Sequence, residues 1–416
     1  MLDLKRISDF ITERRRAMGL TQQQVAEQLG VSYQAVSKWE CGTTLPSVDS
    51  LLELSELLGV TADELLRGHC RKDAGLTYSK AGVDISYTDA IKAEMSRYVS
   101  SDHPRVLNRL GAFASLYDIR FDDIPDPVLV LKSEEPGSKQ KIAMEYGYTE
   151  SICHDMINHL VNDIIVMGAK PLAVLDTIVC GSAEKDTVKC FIKGISEACA
   201  ANDCSLVGGE TSVQPGVVER GTYILTASIA GICSREQLID GSRITAGDVV
   251  LSVASNGLHT NGYSLVRMLM DELPRIKEER VGSLPFLNAI MLPHTPYYPA
   301  LRELLSDPTL HGMAHITGGG IAGNLSRVIP DGLCAVVDLS ALQPPAIFSY
   351  LKANGGISDD EMLRTFNCGA GLILVTDRDS APQIAAQISK LYPCQPIGEI
   401  IADTGSRVAF QNAVRW

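Results

Sequence analysis

No apolar run in these 416 residues approaches the roughly 20 that a membrane helix needs, so no spanning segment is expected. The opening MLDLKRISDF carries no apolar stretch of the signal-peptide kind. No two cysteines stand in a Cys-x-x-Cys pair, which leaves a zinc knuckle and a disulfide framework without their usual signature. The cysteines number 11, an odd count with mostly apolar flanks, and read as reduced thiols of a cytoplasmic protein. Positive charge is also short: Lys and Arg total 37 against 50 Asp and Glu, a formal net charge of −13. Bulk, non-specific attraction to nucleic acid or to an anionic membrane is thereby disfavoured. No internal repeat is visible. What is there is an ordinary soluble composition, 45% hydrophobic and 21% charged, in a chain long enough for two or three buried cores.

The first seventy or so residues read as five short helices. ISDFITERRRAMG places Ile7, Phe10, Ile11 and Met18 along one face. Thr21 is the expected N-cap of QQQVAEQL, Gly30 ends that helix, and Ser32 caps YQAVSKWE. Pro46-Ser47 opens VDSLLELSELLG, and Thr61 with Glu64 makes a capping box ahead of ADELL. A short helix, a tight turn and a second short helix is the helix-turn-helix geometry. Val25, Ala26, Leu29, Val31 and Val36 would close the two helices on each other. Gln22, Gln23, Tyr33, Gln34, Ser37 and Lys38 then face outward, where Gln and Lys can read base edges or grip phosphates. The string from Leu20 to Leu66 resembles the Cro/lambda-repressor-like (XRE) family over its whole length: LTQ, A-x-x-LGVS and V-S-x-WE-x-G fall in step. That resemblance implies binding to duplex DNA; the alternative is a helical bundle used only for protein contact. Acidic side chains slightly outnumber basic ones here, so DNA affinity would rest on Arg14, Arg15, Arg16 and Lys38 and on dimerisation.

From Leu76 onward, strand-like VLVLKS, PLAVLDTIVCG, TYILTASIAGIC, DVVLSVAS, LCAVVDLS and GLILVTD alternate with amphipathic runs such as DTVKCFIKGISEACAAN. This is an α/β pattern in two parts, dividing near Cys233 to Gly241. Four glycine-rich turns are the chemical landmarks: LVGGET, SNGLHTNGYSLVR, HITGGGIAGNLSRV and RTFNCGAG. The triple glycine of HITGGG, entering a helix, offers backbone N–H groups to an anion. Each alone reads as a tight turn; four in one region point to a ligand. His259 and His315, beside such turns, are expected to touch that ligand rather than pack in the core. His154 and His159, five apart on a helix, are expected to be ordinary polar side chains, and Cys368 a small buried residue as readily as a reactive thiol.

Together these strings resemble the aminoimidazole-ribonucleotide synthetase family, the phosphoribosylformylglycinamidine cyclo-ligases of purine biosynthesis, from YSKAGVDI at Tyr78 to about Ile401. The two resemblances imply an all-α helix-turn-helix domain at 1–68, a linker at 69–76, and a two-part α/β (α+β) synthetase-like fold. Its N-terminal half, 77–236, would carry the dimer and ATP side, and 237–416 would form the C-terminal half. They also imply a homodimer, ATP and Mg2+ as cofactors, and a ribonucleotide substrate. ATP would activate the formyl amide oxygen of formylglycinamidine ribonucleotide, and the amidine nitrogen would then close the imidazole ring.

In the family a Gly-Thr-Asp-Gly-Val-Gly-Thr-Lys loop falls onto Lys132 to Lys139, here KSEEPGSK. Its metal-binding Asp becomes Glu134, which with Asp155 and Asp163 implies a magnesium site. Gly137, Ser138 and Lys139 remain as phosphate partners, but Lys132 and Glu135 replace glycines and Pro136 removes a backbone donor. The resemblance further implies catalytic roles for His259, Asp155 and Asp163. It places ATP contacts at Asn162, Gly208, Gly209, Glu210, Thr211, Gly318, Gly319 and Gly320, and substrate contacts at Asn261, Thr317 and Asn367. Two functions fit. One is a working cyclo-ligase with a DNA-binding appendage, towards which breadth of resemblance tips the balance slightly. The other is a transcriptional regulator whose enzyme-like domain binds a purine nucleotide or intermediate without turning it over, which the altered loop and the fused helix-turn-helix favour.

Overall fold

The computed structural model describes residues 3–69, 85–99, 103–108, 112–403 and 405–416, so nearly all of the expected linker and of the YSKAGVDI string lies outside the described residues. The chain divides into two compact units, Met1–Lys80 and Ala81–Trp416. Among the described residues no helix is long and apolar enough to cross a membrane, and every described cysteine is a free thiol.

The first unit is five helices: α1 (Leu4–Ala17), α2 (Gln22–Gln28), α3 (Tyr33–Glu40), α4 (Val48–Leu57) and α5 (Ala62–Arg67). The caps fall where the sequence puts them. Thr21, Ser32, Ser47 and Thr61 each accept from the backbone N–H three residues on, and Thr61 and Glu64 close a capping box. Ile7, Phe10, Ile11, Val25, Ala26, Val36, Trp39, Leu54, Leu58 and Leu65 form the core. Each fully buried large apolar side chain among them contributes roughly 1.5–3 kcal/mol. Met18 does not join them: it lies at the C-cap of α1, beyond the last inward-facing turn, and is 53% exposed.

The second unit opens with α6 (Ile85–Met95), β1 (Pro127–Glu134), α7 (Lys139–Tyr146), α8 (Thr149–Ile165), β2 (Lys170–Cys180), α9 (Lys185–Ala201), β3 (Ser205–Val213) and β4 (Tyr223–Ser234). Its sheet has the order β1-β4-β2-β3. β4 runs antiparallel to both β1 and β2, while β2 and β3 are parallel, joined through α9. LVGGET is therefore strand β3 and not a loop. Glycine is required inside it, because a Cβ at Gly209 would stand 2.0 Å from Oδ1 of Asp176 on β2. α8 lies on one face of the sheet. The other face presents Leu129, Leu131, Leu175 and Ile224 to solvent.

The rest of the chain adds β5 (Val249–Ala254), α10 (Tyr263–Glu272), a small hairpin of β6 (Arg280–Val281) and β7 (Leu284–Pro285), α11 (Phe286–Ile290) and α12 (Tyr298–Leu301). Then come β8 (Leu310–His315), α13 (Gly320–Leu325), β9 (Leu333–Asp338), α14 (Ala346–Gly355) and α15 (Asp359–Thr365). β10 (Ala370–Thr376), α16 (Ala381–Ile388), β11 (Cys394–Ala402) and β12 (Val408–Gln411) complete it. The second sheet has the order β12-β9-β11-β5-β10-β8 and is antiparallel except for β12 beside β9. One apolar cluster runs through both halves, from Ile157 and Ile178 to Leu251 and Phe286. The functional residues sit where that shared core gives way to polar groups.

Candidate functional site

Helix α8 carries a polar stripe on its buried side. Asp155, Asn158, His159 and Asn162 follow one another at helical spacing, and all four are buried. A buried polar stripe needs partners, and most of its members find them in the loop LPHTPYY between α11 and α12. Asp155 accepts from the N–H of His294 at 2.8 Å. Asn158 donates to the carbonyl of His294 at 2.6 Å, and Asn162 to that of Thr295 at 2.9 Å while accepting from Tyr297. Asn162, expected to touch ATP, instead fastens the two halves together.

Lys139 has the same fate. It is 0% exposed, and its three donors reach Asp155, the carbonyl of His259 at 3.0 Å and the carbonyl of Leu292 at 2.7 Å. The expected phosphate lysine is thus a joint inside the fold. Burial pulls its pKa below the ordinary lysine value, against the pull of Asp155. Burial likewise pushes the Asp155 carboxyl up to about 6, although Lys139 and the His294 N–H draw it down.

The three carboxylates expected to hold magnesium do not converge. Asp155 is engaged by Lys139. Glu134 and Asp163 are instead bridged by the ammonium of Lys132, 3.0 Å from one and 2.9 Å from the other. Burial alone would lower the lysine's pKa, but its hydrogen bonds to Asp163 and Glu134 raise it above the ordinary value, so the bridge is cationic. A carboxylate pair already neutralised by a tethered cation does not suit Mg2+, and the donor set does not fit the family's metal. Ser138 stands at the N-cap of α7 and makes no capping hydrogen bond. Gly137, at φ 62°, leaves its missing Cβ 3.7 Å from the carbonyl of Thr260, so this loop and the SNGLHTNG turn do meet.

The other expected residues divide. Asn261 has a buried amide nitrogen without a partner, and its oxygen lies 3.5 Å from where a Cβ of Gly318 would be. Thr317 and Gly318 are braced by Asn324, whose side chain bonds the carbonyls of both and of Gly320. Gly318 and Gly319 are exposed, but Gly320 is a packing glycine: a Cβ there would fall 1.8 Å from the carbonyl of Leu363. Asn367 is 1% exposed and fully engaged with Ser255, Gly369 and Gly257, so the expected substrate contact is a turn brace. Cys368 beside it is buried, and burial pushes its thiol up to about 12, the inert reading. Gly208, Gly209, Glu210 and Thr211 lie on β3, the sheet edge opposite β1. Three strand spacings, about 14 Å, separate them from the Lys132–Lys139 loop. Between them Asp176 is raised to about 7, by burial first, its own N–H opposing and Glu210 adding to it.

Histidines, unexpectedly, fill the centre. His259 and His315, expected to touch a ligand rather than pack in the core, are 0% and 5% exposed. His159, expected to be an ordinary polar side chain, is buried with them, and so is His294, which periodicity did not mark. The rings of His259 and His294 stack with centroids 3.9 Å apart. His294 and His315 meet Nε2 to Nε2 at 2.9 Å, and His315 Nδ1 lies 2.7 Å from Asp163. The only sequence hint was a histidine held between Pro293 and Pro296. A separate groove of about 640 Å³, lined by Arg105, Tyr117, Phe121, Lys170 and Arg302, lies at the far end of β1.

In the first unit Tyr33, Gln34 and Lys38 are exposed on α3, and Ser37 is half-buried. Gln23 is exposed and donates to Glu27, while Gln22 donates to Glu40, itself paired with Arg15. Gln22 therefore spends one of its two amide N–H groups on Glu40 at the end of α3.

Comparison with known proteins agrees with this layout. The family profile described as AIR synthase related protein, N-terminal domain, matches residues 125–233, and its C-terminal counterpart matches 245–411. A helix-turn-helix profile matches residues 11–65. A phosphoribosylformylglycinamidine cyclo-ligase of Methylobacillus flagellatus is 40% identical over 312 residues, covering 75% of this chain and 89% of that protein. One of Geobacter sulfurreducens is 38% identical over 343 residues, covering 79% and 98%. Among solved structures, thiamine-monophosphate kinase from Stenotrophomonas maltophilia shares the fold of the second unit with a TM-score of 0.57 at 18% identity, covering 80% of this chain and 98% of that one. The hydrogenase maturation protein HypE of E. coli does so with a TM-score of 0.56 at 18% identity, covering 78% and 94%.

Proposed function

Because the chain belongs to the AIR synthase related family and carries a helix-turn-helix domain, we propose that it is a DNA-binding regulator whose synthetase-like body senses a purine nucleotide or ribonucleotide intermediate. One observation carries this reading. Lys132 places an ammonium between Glu134 and Asp163, where magnesium-dependent chemistry on ATP would need a metal. A fixed cation can neutralise the pair and shape a ligand cleft, but it cannot exchange ligands or follow a phosphoryl group as it moves. Lys139, engaged inside the fold, leaves that loop with no second mobile cation. The second reading, a working cyclo-ligase, draws on the orphaned amide of Asn261 beside the exposed Gly318, a donor with no internal partner.

DNA contact would come from Gln34 and Lys38 on α3, with Tyr33 and Gln23 at the margins. Two copies are needed to read paired half-sites. The open face of the first sheet, with Leu131 71% exposed and Leu129 49%, supplies the apolar surface for a homodimer.

Calorimetry with ATP, formylglycinamidine ribonucleotide and aminoimidazole ribonucleotide, each with and without Mg2+, tests the reading. The wild type is expected to bind at least one of the three without requiring magnesium and to turn none over. Lys132→Gly frees the two carboxylates, and ATP binding then becomes magnesium-dependent. Ring closure by the wild type in a coupled assay would establish the ligase instead.

A further inference from the structure

Four of the chain's 8 histidines meet in one buried cluster. They come from α8 (His159), the turn after β5 (His259), the loop before α12 (His294) and the end of β8 (His315). Imidazoles gathered like this could simply hydrogen-bond one another, but here the accounting does not close. His315 Nδ1 faces Asp163 at 2.7 Å, which makes that nitrogen the N–H and leaves Nε2 with a lone pair. His294 Nε2 must then donate across the 2.9 Å contact, and its Nδ1 is left buried with no partner. His259 faces Thr295 through Nε2 at 3.2 Å, and its Nδ1 is buried and unpartnered too. Two orphaned ring nitrogens in one wholly buried cluster require an explanation.

We propose that His259, His294 and His315 form a binding site for a divalent transition-metal ion of the zinc class, with Asp163 orienting His315. Imidazole suits Zn2+ and its neighbours, and a carboxylate behind a ligating histidine fixes its tautomer. One ring nitrogen from each of the three lies within 4.8 Å of the others, and the His294–His315 pair is at 2.9 Å. Neighbouring nitrogens around tetrahedral zinc stand about 3.3 Å apart, so small ring rotations suffice. Metal binding needs neutral imidazole, and the full burial of His259 and His294 disfavours the charged form. Charge does not oppose a dication, because Asp155, Asp163 and Glu134 outnumber Lys132 and Lys139 around the cluster. His159 stands beside the three, its Nε2 3.7 Å from Asp163. The site shares Asp163 with the Lys132 bridge but takes its three ligands from outside it, so metal binding is read independently of nucleotide binding.

The test takes full-length protein without a polyhistidine tag, stripped by chelator and titrated with Co2+ and then Zn2+. One Co2+ per chain is expected, with the visible absorption of tetrahedral cobalt, displaced by Zn2+. His294→Ala and His315→Ala should each weaken binding about a hundredfold, and Asp163→Asn roughly tenfold to a hundredfold. His154→Ala removes a possible surface competitor, the Glu150, His154 and Glu197 group, and should change nothing. Should the alanine variants fail to fold, X-ray absorption of the wild-type zinc protein decides: a shell with at least two imidazoles supports the site. An oxygen-only shell, loss of binding in His154→Ala, or no stoichiometric binding at micromolar metal overturns it and leaves a hydrogen-bonded histidine cluster.

Discussion

Lys139 and Asp155 form a salt bridge of 2.7 Å with both side chains at zero solvent exposure. The pair lies in the joint that ties α8 to the loop before α12, and each member is hydrogen-bonded to backbone of that second half. Removing one partner strands the other charge in the core. Lys139→Met should therefore lower stability by about 3–5 kcal/mol, while Lys139→Met with Asp155→Leu should recover much of the loss. Urea unfolding of the full chain, followed by circular dichroism, measures both. A single variant as stable as wild type would mean that the pair does not hold the joint.

Acid should weaken the first unit through Glu40. Burial by itself would raise this carboxyl, but hydrogen bonds from Arg15 and Gln22 outweigh burial and hold it below its ordinary value. A group with a depressed folded pKa stabilises above the unfolded value, and that stability is lost as pH falls through the folded one. Helix-turn-helix stability should thus fall on acidification below the ordinary carboxylate range, and Glu40→Gln should flatten that dependence. Trp39, 6% exposed, reports the transition by fluorescence once Trp416 is replaced by Phe. Arg15→Ala should cost about 1.5–3 kcal/mol in the same assay at neutral pH.

On duplex DNA from the protein's own upstream region, Gln34→Ala with Lys38→Ala should abolish sequence-specific retention. Lys38→Ala alone should weaken binding to all sequences alike and reduce the salt slope by about 1. A wild type that retains no duplex at low salt would leave the helices as a protein-contact bundle.

The proposed homodimer should come apart when the apolar face of the first sheet is charged. Leu131→Asp, on the solvent side of β1, has no buried neighbour to lose, so folding should survive while light scattering moves from dimer to monomer mass. An unchanged mass would place the association elsewhere or show the wild type to be monomeric.

Local signals were read well from sequence. The caps at Thr21, Ser32 and Thr61 and the strand at PVLVL depend on neighbours a few residues apart, and the structure places them as expected. The extent of β3 was missed because two glycines erase the alternation that marks a strand; Asp176 on the adjacent strand explains Gly209, and Ser115 and Leu175 crowd Gly208. The polar stripe of α8 was legible as a pattern, but its partners lie more than 130 residues away in a loop between prolines. Lys139, Asn162 and Asn367, read as ligand contacts, also bond inside the fold, because the same donors that can hold a phosphate satisfy buried carbonyls.

Asp163 receives a different cation-forming group on each carboxylate oxygen, Lys132 from the first sheet and His315 from the second. Neither contact can lengthen without altering the charge that the other experiences, so the carboxylate works as a seesaw with one arm in each half of the body. A ligand that draws His315 away strengthens the hold on Lys132, and one that displaces Lys132 strengthens the hold on His315. Whatever displaces either partner changes the charge that the carboxylate offers to the other.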